Sequence, residues 1–162
     1  MSFRIYDVTL ALGLVGLCPL PGRFSPMAED LETVRAWGPS IVVSLTELPE
    51  MARHGAENLG SLLGAQEVEW AHLSIADYGT PADESARAWP VLSQRLHAVL
   101  DSDGRVLVHC FGGLGRSGTI ALRLMVERGE HPADALKRLR TVRPGAVETD
   151  AQYAWAATGY KT

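Results

Sequence analysis

The sequence predicts a three-layer α/β domain in which helices flank a mostly parallel central sheet. Two observations support this fold class. Short apolar runs that are typical of buried strands alternate with longer segments whose apolar residues have helical spacing. The chain has 162 residues, of which 46% are hydrophobic and 21% are charged, and this composition suits one globular domain with a substantial core. We therefore expect a single domain over residues 1–162.

The first half of the chain is predicted to alternate between strands and helices. In order, the expected elements are an ambiguous extended edge segment at 3–12, a strand at 13–20, a helix at 27–37, a strand at 41–45, a patchy helix at 49–63 and a strand at 68–75. Pro39 ends the first helix because proline cannot continue a helical hydrogen-bond ladder. The β-branched run that starts at Ile41 is typical of a strand buried on both faces.

The second half is predicted to contain one central strand and four helices. In order, these are a helix at 80–100, a strand at 105–109, and helices at 117–127, at 132–142 and from Thr149 through Trp155. Thr80 fits the capping position of the first of these helices, and Pro81 fits its first turn. Pro90 lies inside the same helix and is expected to kink it or to delay its start.

The segment HCFGGLGRS, which overlaps the end of the central strand, carries the chemistry. Cys110 ends the strand, and the glycines after it let the chain curl into a tight loop. Such a loop turns its N–H groups inward as an anion-binding nest, to which the next helix adds its positive end. Arg116 adds a planar guanidinium that can hold two oxygens of one phosphate. The residues predicted to bind phosphate are Phe111, Gly112, Gly113, Leu114, Gly115 and Arg116.

The same surroundings are expected to make Cys110 a nucleophile. Helix N-termini and nearby cations favour the thiolate form of a cysteine, and the thiolate is the form that attacks. The carboxyl ends of parallel strands meet at one edge of a sheet. Asp77 and Glu47 follow two other predicted strands, so we expect both carboxylates near the same edge as Cys110.

The spacing from Cys110 through five residues to Arg116 and Ser117, with His109 before the cysteine, resembles the signature of cysteine-dependent protein phosphatases. The resemblance is to the dual-specificity type, and it implies the protein tyrosine phosphatase fold. It is closest to the kinase-associated phosphatases, also known as cyclin-dependent kinase inhibitor 3, which act on cyclin-dependent kinases.

Three further segments, at 16–22, 75–81 and 143–149, are similar to those phosphatases. The similarity covers most of the chain. It departs at Tyr78, where a second glycine would be closer to the family pattern, and an aromatic ring there would narrow the pocket mouth or stack on a substrate.

The resemblance implies a two-step reaction through phosphocysteine, in which Asp77 is the general acid and then the general base. Asp83 and Glu84 are rival acids, although both fit the first turn of a helix better. In this scheme Ser117 hydrogen-bonds the departing thiolate. His109 and Gln152 have supporting roles: the first orients the loop through the backbone, and the second either positions the hydrolytic water or lies on a helix surface.

The expected substrate is a phosphoprotein that carries phosphotyrosine, with phosphoserine and phosphothreonine left open. Phosphoinositide phosphatases of the same superfamily tend to carry basic residues in this loop, whereas residues 111–115 contain no lysine or histidine. Two other functions remain open. One is a phosphate-binding module, or pseudophosphatase, that acts by docking. The other is a sulfur transferase or arsenate reductase, although only Cys18 is available as a resolving thiol.

Composition sets further expectations. Because the net charge is −4, we expect no general binding of nucleic acid or of an anionic membrane surface. Two cysteines are too few for a disulfide framework, and a reactive thiol needs a reducing compartment, so we expect a cytoplasmic protein. The histidines lack metal-ligand spacing, and the reaction implied above needs no metal or cofactor. We expect a monomer.

A few residues fit two interpretations. Glu47 either bonds a loop arginine or simply ends a strand. Cys18 is either an inert core residue or a partner for an oxidised Cys110. Arg138, Arg140 and Arg143 are interpreted as a solvated helix face rather than as a docking site.

Overall fold

In a computed structural model of the protein, residues 2–161 are described and fold as an α/β domain. The strands are β1 (Tyr6–Leu10), β2 (Gly13–Cys18), β3 (Ile41–Ser44), β4 (Glu69–His72) and β5 (Arg105–His109). The helices are α1 (Met27–Trp37), α2 (Leu48–Arg53), α3 (Leu59–Ala65), α4 (Asp83–Asp101), α5 (Gly115–Glu127), α6 (Pro132–Val142) and α7 (Asp150–Ala157). Within the described part of the chain, no helix combines the length and apolarity that crossing a bilayer requires.

The five strands form one sheet in the order β1-β2-β5-β3-β4. β1 pairs antiparallel with β2, and the other pairs are parallel. The mostly parallel sheet that the sequence predicts is therefore confirmed, and β5 lies at its centre. The carboxyl ends of β2, β3, β4 and β5 share one edge, which is where parallel sheets place their ligands.

Helices cover both faces of the sheet. Alternate residues of each central strand point to opposite faces, so each strand contributes side chains to both cores. Val106 and Val108 of β5 belong to a core that includes α4 to α7, whereas Leu107 faces the core that includes α1 to α3. All three are at most 1% exposed. The continuous apolar runs of β3 and β5 are thus explained by burial on both faces.

Several predicted boundaries are wrong. The segment at 49–63 forms two helices, because the chain turns between them with Gly55 at a φ of 69°. α4 begins at Asp83 rather than at Thr80, since Ala82 is extended and holds the capping position. Pro90 lies inside α4 without ending it. α5 begins at Gly115, so that Arg116 is already part of its first turn.

The C-terminal end of α5 is fastened to α4 by the carboxylate of Glu127. Trp89 Nε1, Ser93 Oγ and Arg123 Nε donate hydrogen bonds to it at 3.0, 2.6 and 2.9 Å, and His97 Nε2 lies 3.0 Å away. Burial alone would raise the pKa of Glu127, but these hydrogen bonds outweigh that effect and lower the pKa to about 2. This carboxylate therefore stabilises the helix that carries the loop of Cys110.

We expect Glu127→Gln to lower the free energy of unfolding by about 1–3 kcal/mol, because an amide leaves two of the buried donors without an acceptor. Urea denaturation at neutral pH measures the change. Glu32→Gln is the control, because Glu32 pairs with Arg35 on the exposed face of α1. It should cost no more than about 0.5 kcal/mol, and equal losses for both variants would contradict the prediction.

Candidate active site

The loop at 110–115 joins β5 to α5, and its carbonyl groups all bond away from its centre. Phe111 O accepts from Leu20 N and Arg23 Nη1, and Leu114 O accepts from Val147 N and Gly118 N. The carbonyls of Gly112 and Gly113 both accept from Arg143, at 3.0 Å each, and Gly115 O accepts from Thr119 Oγ1 at 2.7 Å. With its acceptors turned outward, the loop directs its donors towards the space above Cys110.

Gly113 explains why this loop needs a glycine. Its φ is +71°, and a Cβ on it would lie 2.7 Å from the backbone of Cys18. Its N–H donates a hydrogen bond to Cys110 Sγ at 3.2 Å. Cys110 itself is 3% exposed, and it lines the cavity over the loop.

A cavity of about 110 Å³ lies over the loop. It is lined by Asp77, Tyr78, Cys110, Phe111, Gly112, Leu114, Gly115, Arg116 and Glu148. The predicted nucleophile, acid, arginine and most of the predicted phosphate-binding residues therefore meet at one site. Gly113, Ser117, His109 and Gln152 lie outside this lining.

Arg116 is held by a carboxylate that the sequence analysis missed. Its Nη1 and Nη2 donate to the two oxygens of Glu50 at 2.9 Å each, and Nη1 also donates to Ile75 O at 3.0 Å. Hydrogen bonding from Arg116 lowers the pKa of Glu50. Glu47, the residue considered for this contact, is exposed at the start of α2, one helical turn before Glu50.

Asp77 lies within 3.4 Å of Arg116 Nη2, and its side chain is 59% exposed. It occupies a tight turn that closes with a 2.8 Å hydrogen bond from Gly79 N to Ala76 O. The third residue of that turn, Tyr78, has a φ of +61° and is 62% exposed. Turns of this kind favour glycine at that position. The departure from the family pattern at Tyr78 therefore coincides with backbone strain.

Gln152 is fully buried, which excludes the interpretation as a helix-surface glutamine. Its Oε1 accepts from Glu148 N at 2.9 Å and from Thr149 N at 3.2 Å, and its Nε2 donates to Gly79 O at 3.1 Å. The side chain thereby connects the start of α7 to the turn that carries Asp77.

His109 lies behind the loop in a chain of hydrogen bonds. Trp70 Nε1 donates to Ser44 Oγ at 2.8 Å, Ser44 Oγ lies 2.6 Å from His109 Nε2, and His109 Nδ1 lies 3.1 Å from Cys110 O. A carbonyl only accepts, so Nδ1 carries the proton and Nε2 accepts from the serine. Burial lowers the pKa of His109 to about 4. The neutral ring therefore orients the backbone at Cys110.

Two further side chains of the sequence analysis, Ser117 and Cys18, are buried. Ser117 Oγ has no hydrogen-bond partner among residues 2–161, and Cys110 Sγ is therefore not bonded to it. Cys18 is a fully buried free thiol, and burial and the charge of Cys110 both raise its pKa. These properties fit a core residue. Among the described residues, no cluster of three or more His, Cys, Asp or Glu side chains is arranged to hold a metal ion.

The interpretation of Arg138, Arg140 and Arg143 as a solvated helix face holds for Arg140, which is exposed, whereas Arg138 and Arg143 are half-buried and Arg143 follows the end of α6. Arg138 Nη2 donates to Thr9 O at 2.9 Å, and Arg140 Nε donates to Ala146 O at 2.8 Å. Arg143 holds the loop as described above. The two latter arginines therefore support the active-site side of the molecule from behind.

Comparison with known proteins gives concordant matches. A family described as "Swiss Army Knife protein, DSP-PTPase phosphatase domain" matches residues 24–155. Mouse cyclin-dependent kinase inhibitor 3 is 32% identical over 146 residues, which are 86% of this chain and 68% of the mouse protein. The human protein of that name is 31% identical over 147 residues, with the same coverage.

Solved structures agree. The crystal structure of kinase-associated phosphatase with its catalytic-site cysteine substituted by serine has a TM-score of 0.85 and 26% identity, covering 96% of this chain and 93% of that one. The active form of Tk-PTP has a TM-score of 0.68 and 30% identity, covering 86% of each chain.

We expect Glu50→Gln to lower kcat for p-nitrophenyl phosphate about 10- to 100-fold, because glutamine accepts one of the two hydrogen bonds that Arg116 donates to Glu50. Glu47→Gln, three residues earlier and exposed, is the matched control and should change kcat less than about twofold. A lower KM with kcat unchanged would show that Glu50 acts only by repelling the anion.

The low pKa of His109 makes stability depend on pH. The unfolded chain binds a proton near pH 6.5, whereas native His109 binds one only near 4, so the free energy of unfolding falls as pH falls through this window. Between pH 6.5 and about 4.5, the loss should be about 1 kcal/mol per pH unit greater in the wild type than in His109→Asn. Urea denaturation at several pH values measures both slopes, and equal slopes would mean that His109 titrates normally in the native protein.

Proposed function

The chain belongs to the DSP-PTPase family of phosphatases, and we propose that it hydrolyses phosphate monoesters of proteins with Cys110 as the nucleophile. One observation carries this proposal: Cys110, Arg116 and Asp77 line a single cavity whose floor is a loop with its carbonyl groups turned outward. Nucleophile, anion-binding donors and acid are thus within reach of one phosphate group.

In the first step, the Cys110 thiolate attacks phosphorus, and the S–P bond forms as the bond to the leaving oxygen breaks. The loop N–H groups and the Arg116 guanidinium hold the three equatorial oxygens, where charge accumulates in the transition state. Asp77 gives its proton to the leaving oxygen. Its place in the lining of the cavity that also contains Cys110 and Arg116 supports this role.

In the second step, water attacks the phosphocysteine, and Asp77 removes a proton from that water. The S–P bond breaks and the Cys110 thiolate is regenerated. The hydroxyl of Ser117, which has no other partner among residues 2–161, and the N–H of Gly113 stabilise this thiolate. Gln152 acts as a positioning residue, because its amide is engaged with the turn of Asp77 and the start of α7.

The proposed substrate is a phosphoprotein. The relatives named kinase-associated phosphatase and cyclin-dependent kinase inhibitor 3 support this class. Phosphotyrosine is the favoured residue, and phosphoserine and phosphothreonine are further candidates. We include all of residues 1–162 in one catalytic domain, and the need for a reduced Cys110 supports a cytoplasmic location.

Hydrolysis of p-nitrophenyl phosphate tests the mechanism. Cys110→Ser should abolish turnover yet retain tungstate binding, because serine keeps the loop but is not ionised. Asp77→Asn should lower kcat about 10²- to 10⁴-fold, which is the usual contribution of a general acid. The control is Asp83→Asn, which should leave kcat within about twofold because Asp83 lies outside the cavity lining.

Glu148→Gln tests whether Glu148, the second carboxylate of the cavity, is the general acid instead of Asp77. A large loss of kcat in this variant, with Asp77→Asn active, would transfer the acid role to Glu148. A wild-type protein that binds tungstate but turns over no substrate would instead support the phosphate-binding module.

A further inference from the structure

A groove of about 520 Å³ lies between the start of α2 and the first half of α4. We call it the α2–α4 groove. The end of β4 and the segment after it, at 72–74, complete its lining, which includes Glu47, Leu48, Pro49, Glu84 and Ala88. The groove shares no lining residue with the cavity over Cys110, so a substrate can occupy both at once.

Two segments connect the groove with the catalytic cavity. Glu47 precedes Glu50 by one turn of α2, about 4.5 Å along the helix axis, and Glu50 holds Arg116 at 2.9 Å. The segment 72–74 leads to Asp77 three residues later. An extended peptide advances about 3.3 Å per residue. A side chain roughly three to six residues from a phosphoresidue seated over Cys110 is therefore able to reach the groove.

The groove carries negative charge that its own lining does not neutralise. Glu47 and Glu84 are exposed, and within residues 2–161 neither of them forms an ion pair. The lining includes no lysine or arginine from the described part of the chain. Its histidine, His72, has Nε2 2.6 Å from Thr46 O, so that nitrogen donates to the backbone. A cation that enters the groove therefore meets two carboxylates without a competing basic side chain.

The same groove also offers apolar surface. Leu48 is 60% exposed, and Pro49 and Ala88 line the groove with it. Lysine and arginine match this combination, because their aliphatic stems pack on apolar surface while their charged heads stay at a polar rim. A small inorganic cation would leave the exposed leucine uncovered. The charge and the apolar surface together therefore favour a long basic side chain as the occupant.

We propose that the α2–α4 groove binds a lysine or arginine side chain of the phosphoprotein substrate, about three to six residues from the phosphoresidue. The inference rests on the proposed function and adds a substrate class to it, namely a phosphoresidue with a basic residue nearby. Glu47 and Glu84 attract the charged head, and Leu48 with Ala88 packs against the stem. Substrate selection is thereby separated from the residues that act on the phosphate.

Phosphotyrosine peptides test the proposal. All share one sequence, in which a single position, about three to six residues on either side of the phosphotyrosine, carries lysine or norleucine. Norleucine keeps the apolar stem of lysine without its charge. For at least one position we expect kcat/KM to be about three- to tenfold higher with lysine than with norleucine, in line with a contact between a cation and two exposed carboxylates. Added salt should reduce this ratio.

The double variant Glu47→Gln with Glu84→Gln should bring the lysine-to-norleucine ratio to within about twofold of one. The ratio within each variant is the readout, so a general loss of activity cancels. The matched control is Glu29→Gln with Glu57→Gln, which removes two exposed glutamates outside both cavities and should keep the ratio. A ratio near one at every position in the wild type, or one that the first double variant leaves unchanged, would overturn the inference. The proposed function fails separately, by loss of wild-type p-nitrophenyl phosphate hydrolysis.

Discussion

The site depends on hydrogen bonds that the loop at 110–115 makes away from its ligand. A loop that presents several N–H groups to one point must turn its carbonyls outward, and each buried carbonyl then needs a donor behind it. Arg23, Arg143 and the backbone N–H groups of Leu20 and Val147 supply those donors. Without these donors, the loop would lower its free energy by rotating its peptide groups towards other donors, and its N–H groups would no longer form an anion-binding nest.

The hydrogen-bond partners of the side chains on either side of the nucleophile also determine which of them is charged. In front of Cys110, Arg116 keeps its charge because Glu50 satisfies it in a bidentate pair, which also fixes the plane of the guanidinium. Behind Cys110, the buried ring of His109 is neutral and bonds only the backbone and Ser44. Among residues 2–161, the partners of the His109 ring are Cys110 O and Ser44 Oγ and not a carboxylate, and burial makes an unpaired positive charge unfavourable there. Of the two side chains, the charged one therefore lies on the side that a phosphate approaches, and the neutral one lies behind it.

The sequence was sufficient to predict features that depend on neighbours along the chain. β5, the glycine loop and the presence of a helix after it follow from local pattern, and the place of Asp77 follows from the rule that parallel strands end at one sheet edge. Glu50, Arg143 and the burial of Gln152 did not follow, because their contacts join residues 66, 30 and 73 positions apart. The sequence around Glu47 and Glu50 does not indicate which of the two contacts Arg116. The direction of α2 relative to β3 decides that it is Glu50.

At Tyr78, such long-range contacts stabilise a turn whose backbone is locally strained. A tyrosine in the left-handed region costs on the order of 1 kcal/mol or more, and a ring that is 62% exposed packs too little to offset that cost. The compensation comes from the contacts that hold the turn on both sides: Gln152 bonds Gly79, and Arg116 lies beside Asp77. These contacts fix the turn whichever residue occupies its third position. Since a glycine would remove the strain there, the stability of the fold does not explain the ring at the mouth of the cavity.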